Sequence, residues 1–125
     1  LSKGLQPLRV QHASAVCSRW AEFGGGCVVF AGAVVNAQAR LGMNVIVNSG
    51  VILEHDCLIG DHVHLATGVK LAASVRVGPC ARVGVGAVVR QEITIGESAV
   101  IGAGATVVRD VPPGVTVVGN PAKPL

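Results

Sequence analysis

The sequence predicts an all-β chain, a parallel β-helix of six-residue repeats with three repeats to each triangular coil. Three observations carry this. In a six-residue frame set on Cys17, the first positions run Cys17, Phe23, Val29, Val35 and onward to Ile95, Ile101 and Val107, and all sixteen are apolar. The fifth positions, from Ala21 and Cys27 to Ala105 and Val111, are likewise all apolar or small. With half the residues apolar, one such column arises by chance about once in 10⁵ trials. Second, glycine recurs at eighteen: Gly24, Gly42, Gly60, Gly78 and Gly96 form one track, and Gly32, Gly50, Gly68, Gly86 and Gly104 another. Third, only Trp20, Phe23 and Phe30 are aromatic, so the core is built of Val, Ala, Ile and Leu, which suits narrow β-rich packing.

Eighteen is three hexads, so the chain returns to the same place after three flat sides. Each side is a short strand, and glycines fall where the chain bends or packs closely. Coils then stack at about 4.8 Å in parallel register, with first and fifth residues inside the tube. Amphipathic helix is the rival reading, but a period of six with this much Gly and Val excludes it.

The elements follow in order. Residues 1–16 are the N-terminal approach and a cap for the open end of the solenoid. Residues 17–112 hold sixteen unbroken hexads, a little over five coils. Val111-Pro112-Pro113-Gly114 is expected to end the register, since proline cannot serve an interior ladder. Residues 113–125 are the exit segment. The chain begins at Leu1 without Met, as a fragment of a longer protein would.

Composition narrows the function. The apolar or Gly run from Gly24 to Val35 is too short to span a bilayer, and no basic-then-apolar leader is present, which points to a cytoplasmic location. Cys17, Cys27, Cys57 and Cys80 show no CxxC pairing. They are expected to fill apolar repeat slots as buried thiols in a reducing compartment. A net charge of +3 with scattered basic residues argues against nucleic acid and favours an anionic small molecule.

One stretch carries chemistry. His55 stands third in its hexad, facing outward at a corner between Glu54 and Asp56. A neutral imidazole suits general-base work near pH 7, and either carboxylate could orient its ring. His62 and His64 lie one hexad on. Zinc would need histidines from neighbouring coils, but the spacings are seven and two, and positions 37 and 73 hold alanine; no metal is expected. His12, in a His-Ala-Ser-Ala stretch, reads as a cap or linker residue.

The repeat, the stretch from Asn48 to Asp61, and the exit Val117-Val118-Gly119-Asn120-Pro121-Ala122-Lys123 resemble the left-handed β-helix, hexapeptide-repeat acyltransferases. The Asn48–Asp61 stretch resembles a branch of bacterial sugar acetyltransferases, which includes sialic acid O-acetyltransferases and the N-acetyltransferases of bacillosamine and perosamine derivatives. The resemblance implies a left-handed coil, acetyl-CoA as donor, and direct transfer to the amino group of a nucleotide-linked amino sugar, with O-acetylation of sialic acid or a related sugar as the near alternative. It implies His55 as general base, Asp56 as the carboxylate that raises its basicity, and His64, Val85 and Ala103 as acetyl-CoA contacts, the last two through backbone groups. Arg82, Arg90, Arg109 and Lys123 are the candidates for the donor's phosphates. Members of the family are homotrimers with active sites between subunits. The branch usually carries an N-terminal nucleotide-sugar-binding α/β domain; it is expected to be absent here, with Leu1 to His12 expected as the stub of its linker.

A stripe of outward apolar sixth positions, Val34, Ile46, Ile52, Leu58, Val88 and Val100, fits such an interface. A non-catalytic scaffold is the reading of another class. Ice binding is not supported, because Thr67, Thr94, Thr106 and Thr116 form no ladder at eighteen.

Overall fold

The computed structural model describes residues 8–125. Each of the first fifteen hexads places a two-residue strand at its sixth and first positions and a turn at its third and fourth. Three parallel sheets result. The first face stacks Val10–Gln11, Val28–Val29, Ile46–Val47, His64–Leu65, Arg82–Val83, Val100–Ile101 and Thr116–Val118. The second stacks Val16–Cys17, Val34–Val35, Ile52–Leu53, Lys70–Leu71, Val88–Val89 and Thr106–Val107; the third runs from Glu22–Phe23 to Thr94–Ile95. Partners are eighteen residues apart, as in His64 with Ile46 and Arg82.

The parallel β-helix and its three sheets are as the hexad period predicts. From Val10 to Val118 the chain makes about six turns, against the little over five expected. The difference has a cause at each end. At the start, Val10 pairs with Val28 and Gln11 with Val29, so the approach segment already follows the register. At the other end the prolines do not stop the stack. The chain instead drops two residues between Val107 and Val111. Val111 takes a first position opposite Ile95, and the Asp110 carboxylate accepts from the Thr94 amide at 2.8 Å. Thr116–Val117 then pair with Val100–Ile101. Pro112 and Pro113 fall in the following turn, where no ladder donor is missed. Lys123–Pro124 folds back antiparallel on Thr116–Val118.

First and fifth positions fill the interior, and among the described residues no polar or charged side chain is buried. The two glycine tracks answer two different demands. At Gly60, in the second position on the third face, an added Cβ would lie 2.6 Å from the Pro79 backbone nitrogen of the next coil. At Gly68, on the corner between first and second faces, space is open but φ is +73°. The other two corners meet the same left-handed requirement with Gln38, Asp56, Ser74 and Glu92, or with Asn44, His62, Cys80 and Ser98. Cys80 is therefore an exposed turn residue rather than a filler of an apolar slot. Cys27 and Cys57 are buried in fifth positions as expected, and Cys17 is half-buried near the open end. All four thiols are free.

Candidate active site

His55 and Asp56 form the turn between Ile52–Leu53 and Leu58–Ile59, at the corner joining second and third faces. The Asp56 amide donates to the Ala37 carbonyl one coil before (3.1 Å), and the His55 carbonyl accepts from the Ser74 amide one coil after (3.0 Å). These bonds hold the turn in the solenoid's ladder. Asp56 has φ +64°, a left-handed conformation that Asp tolerates better than most residues. Its carboxylate turns back on its neighbour, with Oδ2 2.8 Å from His55 Nδ1. A carboxylate only accepts, so Nδ1 carries the proton and the neutral ring presents Nε2 as its lone-pair acceptor. The sequence left Glu54 and Asp56 open as partners; the geometry pairs Asp56. Both partners are more than half exposed, at 59% and 55%, so the pair orients the ring and adds little to stability. Ala37 and Ala73 occupy the same turn position one coil to either side, leaving the imidazole unhindered along the edge.

Directly behind this turn, burial pushes the Cys57 thiol up to about 11, with the Glu54 and Asp56 charges adding to the rise. Its Sγ donates to the Ala72 carbonyl at 3.2 Å. A thiol so protonated at neutral pH is no nucleophile.

Val85 and Ala103 lie one coil apart on a different corner, the one joining first and second faces. Both are exposed. The Val85 carbonyl accepts from the Gly104 amide at 2.8 Å, but among the described residues neither the Val85 nor the Ala103 amide donates to any backbone carbonyl. Two free N–H donors therefore sit on one edge. His64 lies on the first face between Ile46 and Arg82, and its Nε2 is buried without a partner among the described residues. A buried ring nitrogen without a partner is costly. Free amides and an orphaned imidazole nitrogen fit contacts to an extended amide-bearing arm such as pantetheine.

The five predicted residues therefore divide between two corners and one face of the prism. His55 and Asp56 are brought together; His64, Val85 and Ala103 are not brought to them within one chain. His62 stands on the third corner, its Nδ1 3.3 Å from Asn44 Nδ2. Among the described residues no three potential ligands converge on a metal position. His12 Nδ1 accepts from the Ser14 amide at 3.0 Å, while Ser14 Oγ accepts from the Gly32 amide, a local turn-stabilising arrangement.

Of the basic candidates, Arg90 and Arg109 line a cavity of about 550 Å³ with Gln91 and Glu92. Arg109 and Lys123 share a second, of about 260 Å³, with Pro121 and Ala122. The sequence treated the last residues only as an exit. Their return over the final coil, which builds that cavity beside Arg109, was signalled by Gly119-Asn120-Pro121 alone. An open groove of about 600 Å³ also runs along the third face from Arg40 to Glu97. None of the five predicted site residues lines it. Among the described residues there is no helix long and apolar enough to cross a membrane.

The repeat and the three stacked sheets define the class of fold, and comparison with known proteins agrees: the chain has the hexapeptide-repeat β-helix fold of solved sugar acetyltransferases. No family model and no curated protein matches it. Among solved structures it is similar to PerB from Caulobacter crescentus, in complex with CoA and GDP-perosamine, at 41% identity and a TM-score of 0.95, over 98% of this chain and 59% of that one. Two structures of perosamine N-acetyltransferase from the same organism carry one histidine replaced by asparagine or by alanine. The chain is also similar to the acetyltransferase domain of PglB from Neisseria gonorrhoeae in complex with acetyl coenzyme A, at 45% identity and a TM-score of 0.94, over 98% of this chain and 60% of that one. A third is WeeI from Acinetobacter baumannii, at 35% and 0.93, over 98% and 60%. The chain thus spans about three fifths of the length of these relatives.

Proposed function

We propose that this chain is the transfer module of an acetyl-CoA-dependent N-acetyltransferase whose acceptor is the amino group of a nucleotide-linked amino sugar. The observation that carries the proposal is the His55–Asp56 pair on an exposed corner, with Nε2 free to accept a proton. His55 takes the proton that the amine loses as its nitrogen attacks the thioester carbonyl. It then returns that proton to the departing thiolate, leaving an amide and CoA. Asp56 holds the ring in the required tautomer and stabilises the transient imidazolium. The protonated Cys57 thiol supports direct transfer rather than an acyl-enzyme. Amine acceptors are favoured because the similar solved structures include one with GDP-perosamine bound and are named as N-acetyltransferases of that sugar. A reducing cytosol, where acetyl-CoA is made available, suits four free thiols.

The division of the site between two corners supports a homotrimer. The base corner and the donor edge bound opposite sides of the second face, one hexad apart. At 3.3 Å per residue that is a separation of about 15–20 Å, too far for one thioester to serve both. A neighbouring prism that packs against the second face would bring its Val85–Ala103 edge to this chain's His55. The outward residues of that face are suited to burial: Val16, Val34, Ile52 and Val88 stack in one line, broken by Lys70. Of the other apolar sixth positions, Ile46 and Val100 lie on the first face. Leu58 stands apart on the third, between Arg40 and Arg76.

The test is free-thiol release from acetyl-CoA over a panel of free and nucleotide-linked amino sugars, with hydroxyl-only sugars as the opposing arm. His55→Ala should lower kcat by about 10²–10⁴-fold with the fold unchanged. Asp56→Asn keeps the imidazole and should cost about tenfold, the worth of a charge-assisted hydrogen bond discounted for exposure. Retention of more than about a tenth of turnover in His55→Ala would remove the general base from the proposal.

A further inference from the structure

Lys70 interrupts the apolar line of the second face. It pairs in register with Ile52 on one side and Val88 on the other, with Val34 and Val16 further down the stack, and it is exposed. A lysine in such a column can cover apolar neighbours with its stem, but its charge needs an outlet. The ammonium turns toward one border of the face, where Nζ donates to the Gly68 carbonyl at 3.2 Å. Gly68 belongs to the corner between first and second faces, so the charge sits on the proposed donor edge. An ammonium has three donors, and this bond uses one.

Glu54 is the matching charge at the opposite border of the same face. It stands in the second position of its hexad, immediately before His55, and is half-buried. The His55 ring is held by Asp56, and among the described residues Glu54 enters neither ion pair. Within one chain the two charges look apart. Glu54 follows Ile52 along its strand, whereas Gly68 precedes Lys70 on the parallel strand beside it.

The proposed trimer brings them together. There the neighbour's donor edge meets this chain's base corner, and in a symmetric ring of parallel prisms equal residues stand at equal levels. A coil rises about 4.8 Å over eighteen residues. On that scale the neighbour's Lys70 lies only about 4 Å from the level of Glu54, within reach of its side chain, while its Val85 lies about 8 Å away. Of the residues on that edge at this level, Ser49, Gly50, Ile52, Thr67, Gly68 and Lys70, only Lys70 is charged.

We infer that Lys70 of each copy pairs with the partner subunit's Glu54, so that three identical ion pairs close the ring. This rests on the proposed trimer with shared sites and deepens it. Apolar packing alone lets two faces slide, whereas a charge pair fixes which edge meets which corner and at what level. Each copy gives its lysine to one neighbour and its glutamate to the other, the head-to-tail contact that a closed ring requires. The pair stands next to His55 and sets the base against the neighbour's edge; the proton transfer stays with His55.

Lys70→Glu and Glu54→Lys each set like charges against one another at all three contacts, and the double variant restores opposite charges in the reverse sense. Light scattering over a dilution series reads the concentration at which trimer gives way to monomer, and thermal unfolding checks the fold of each variant. Each single variant should raise that concentration by about tenfold or more, and the double variant should return to within about threefold of the unaltered protein. The milder Lys70→Gln and Glu54→Gln should act in the same direction and, combined, cost little more than either alone, since each by itself removes the pair. Single variants that dissociate no more readily, a folded double variant that stays dissociated, or an unaltered protein that is monomeric would overturn the pair. Thiol release from acetyl-CoA with amino sugars keeps the two readings distinct. Charge rescue in a trimer that transfers no acetyl group upholds the pair and removes the catalytic reading, and transfer by a monomer does the reverse.

Discussion

Ala103 and Ala105 are two residues apart and should answer opposite questions when each is replaced by tryptophan. Ala105 is wholly buried, in a fifth position directly above the buried Ala87. The tube there is closed by backbone on all three sides, and an indole has nowhere to go. Ordinary overpacking costs 1–3 kcal/mol; nine added heavy atoms in an alanine slot should cost at least the upper figure. For a chain of this size, about 3 kcal/mol lowers the melting temperature by roughly 10–15 °C. Ala103 is exposed at the corner, and a tryptophan there should change stability by less than about 0.5 kcal/mol. Its effect should fall on the donor. The indole would cover the free amides along the edge and raise KM for acetyl-CoA by about tenfold or more, with a much smaller change for the acceptor. Ala103→Gly should be silent, since the contact is assigned to the backbone. Thermal unfolding and initial-rate kinetics on the three variants decide the matter. Unchanged acetyl-CoA kinetics in a folded Ala103→Trp would place the donor on another edge and refute the reasoning.

Three other outcomes are expected. Multi-angle light scattering at micromolar concentration should give three times the chain mass, and a monomer would remove the shared site. Gly60→Ala should destabilise by several kcal/mol, because its Cβ would meet backbone at 2.6 Å, whereas Gly68→Ala should cost only the left-handed penalty of about 1–2 kcal/mol; equal urea midpoints would contradict this. With its thiol held up to about 11 in the folded protein, Cys57 keeps its proton between pH 9 and 11 while the unfolded chain loses it. Stability should therefore fall as pH rises through that window, with a shallower fall in Cys57→Ala.

The interior of this fold was legible because a solenoid repeats one decision. Each coil sets its first and fifth residues against the same two neighbours, so a six-residue column records the burial directly, and an eighteen-residue glycine track records the closure. What the columns could not show was where the register bends. Removing two residues between Val107 and Val111 leaves Val111 apolar in either frame, so the count of hexads runs on undisturbed while the strand partner changes. Cys80 was misplaced for a related reason. A single apolar-looking residue was assigned to the core by type, although its position in the frame was a turn, where φ is positive and the side chain faces water. The site was legible in a different way. His55 and Asp56 are neighbours in sequence, and a corner turn is what brings adjacent side chains together, so the pair could be read locally and then fixed to Asp56 by one distance. The proposed donor contacts depend on which corner each hexad occupies. That is still computable, since residues differing by eighteen share an edge and residues differing by six do not. Counting from Asp56 back by thirty-six reaches Trp20, and counting on from His55 by thirty reaches Val85 at another corner. The same arithmetic separates the proposed donor edge from the proposed base, which is why the proposed function shares each site between two prisms.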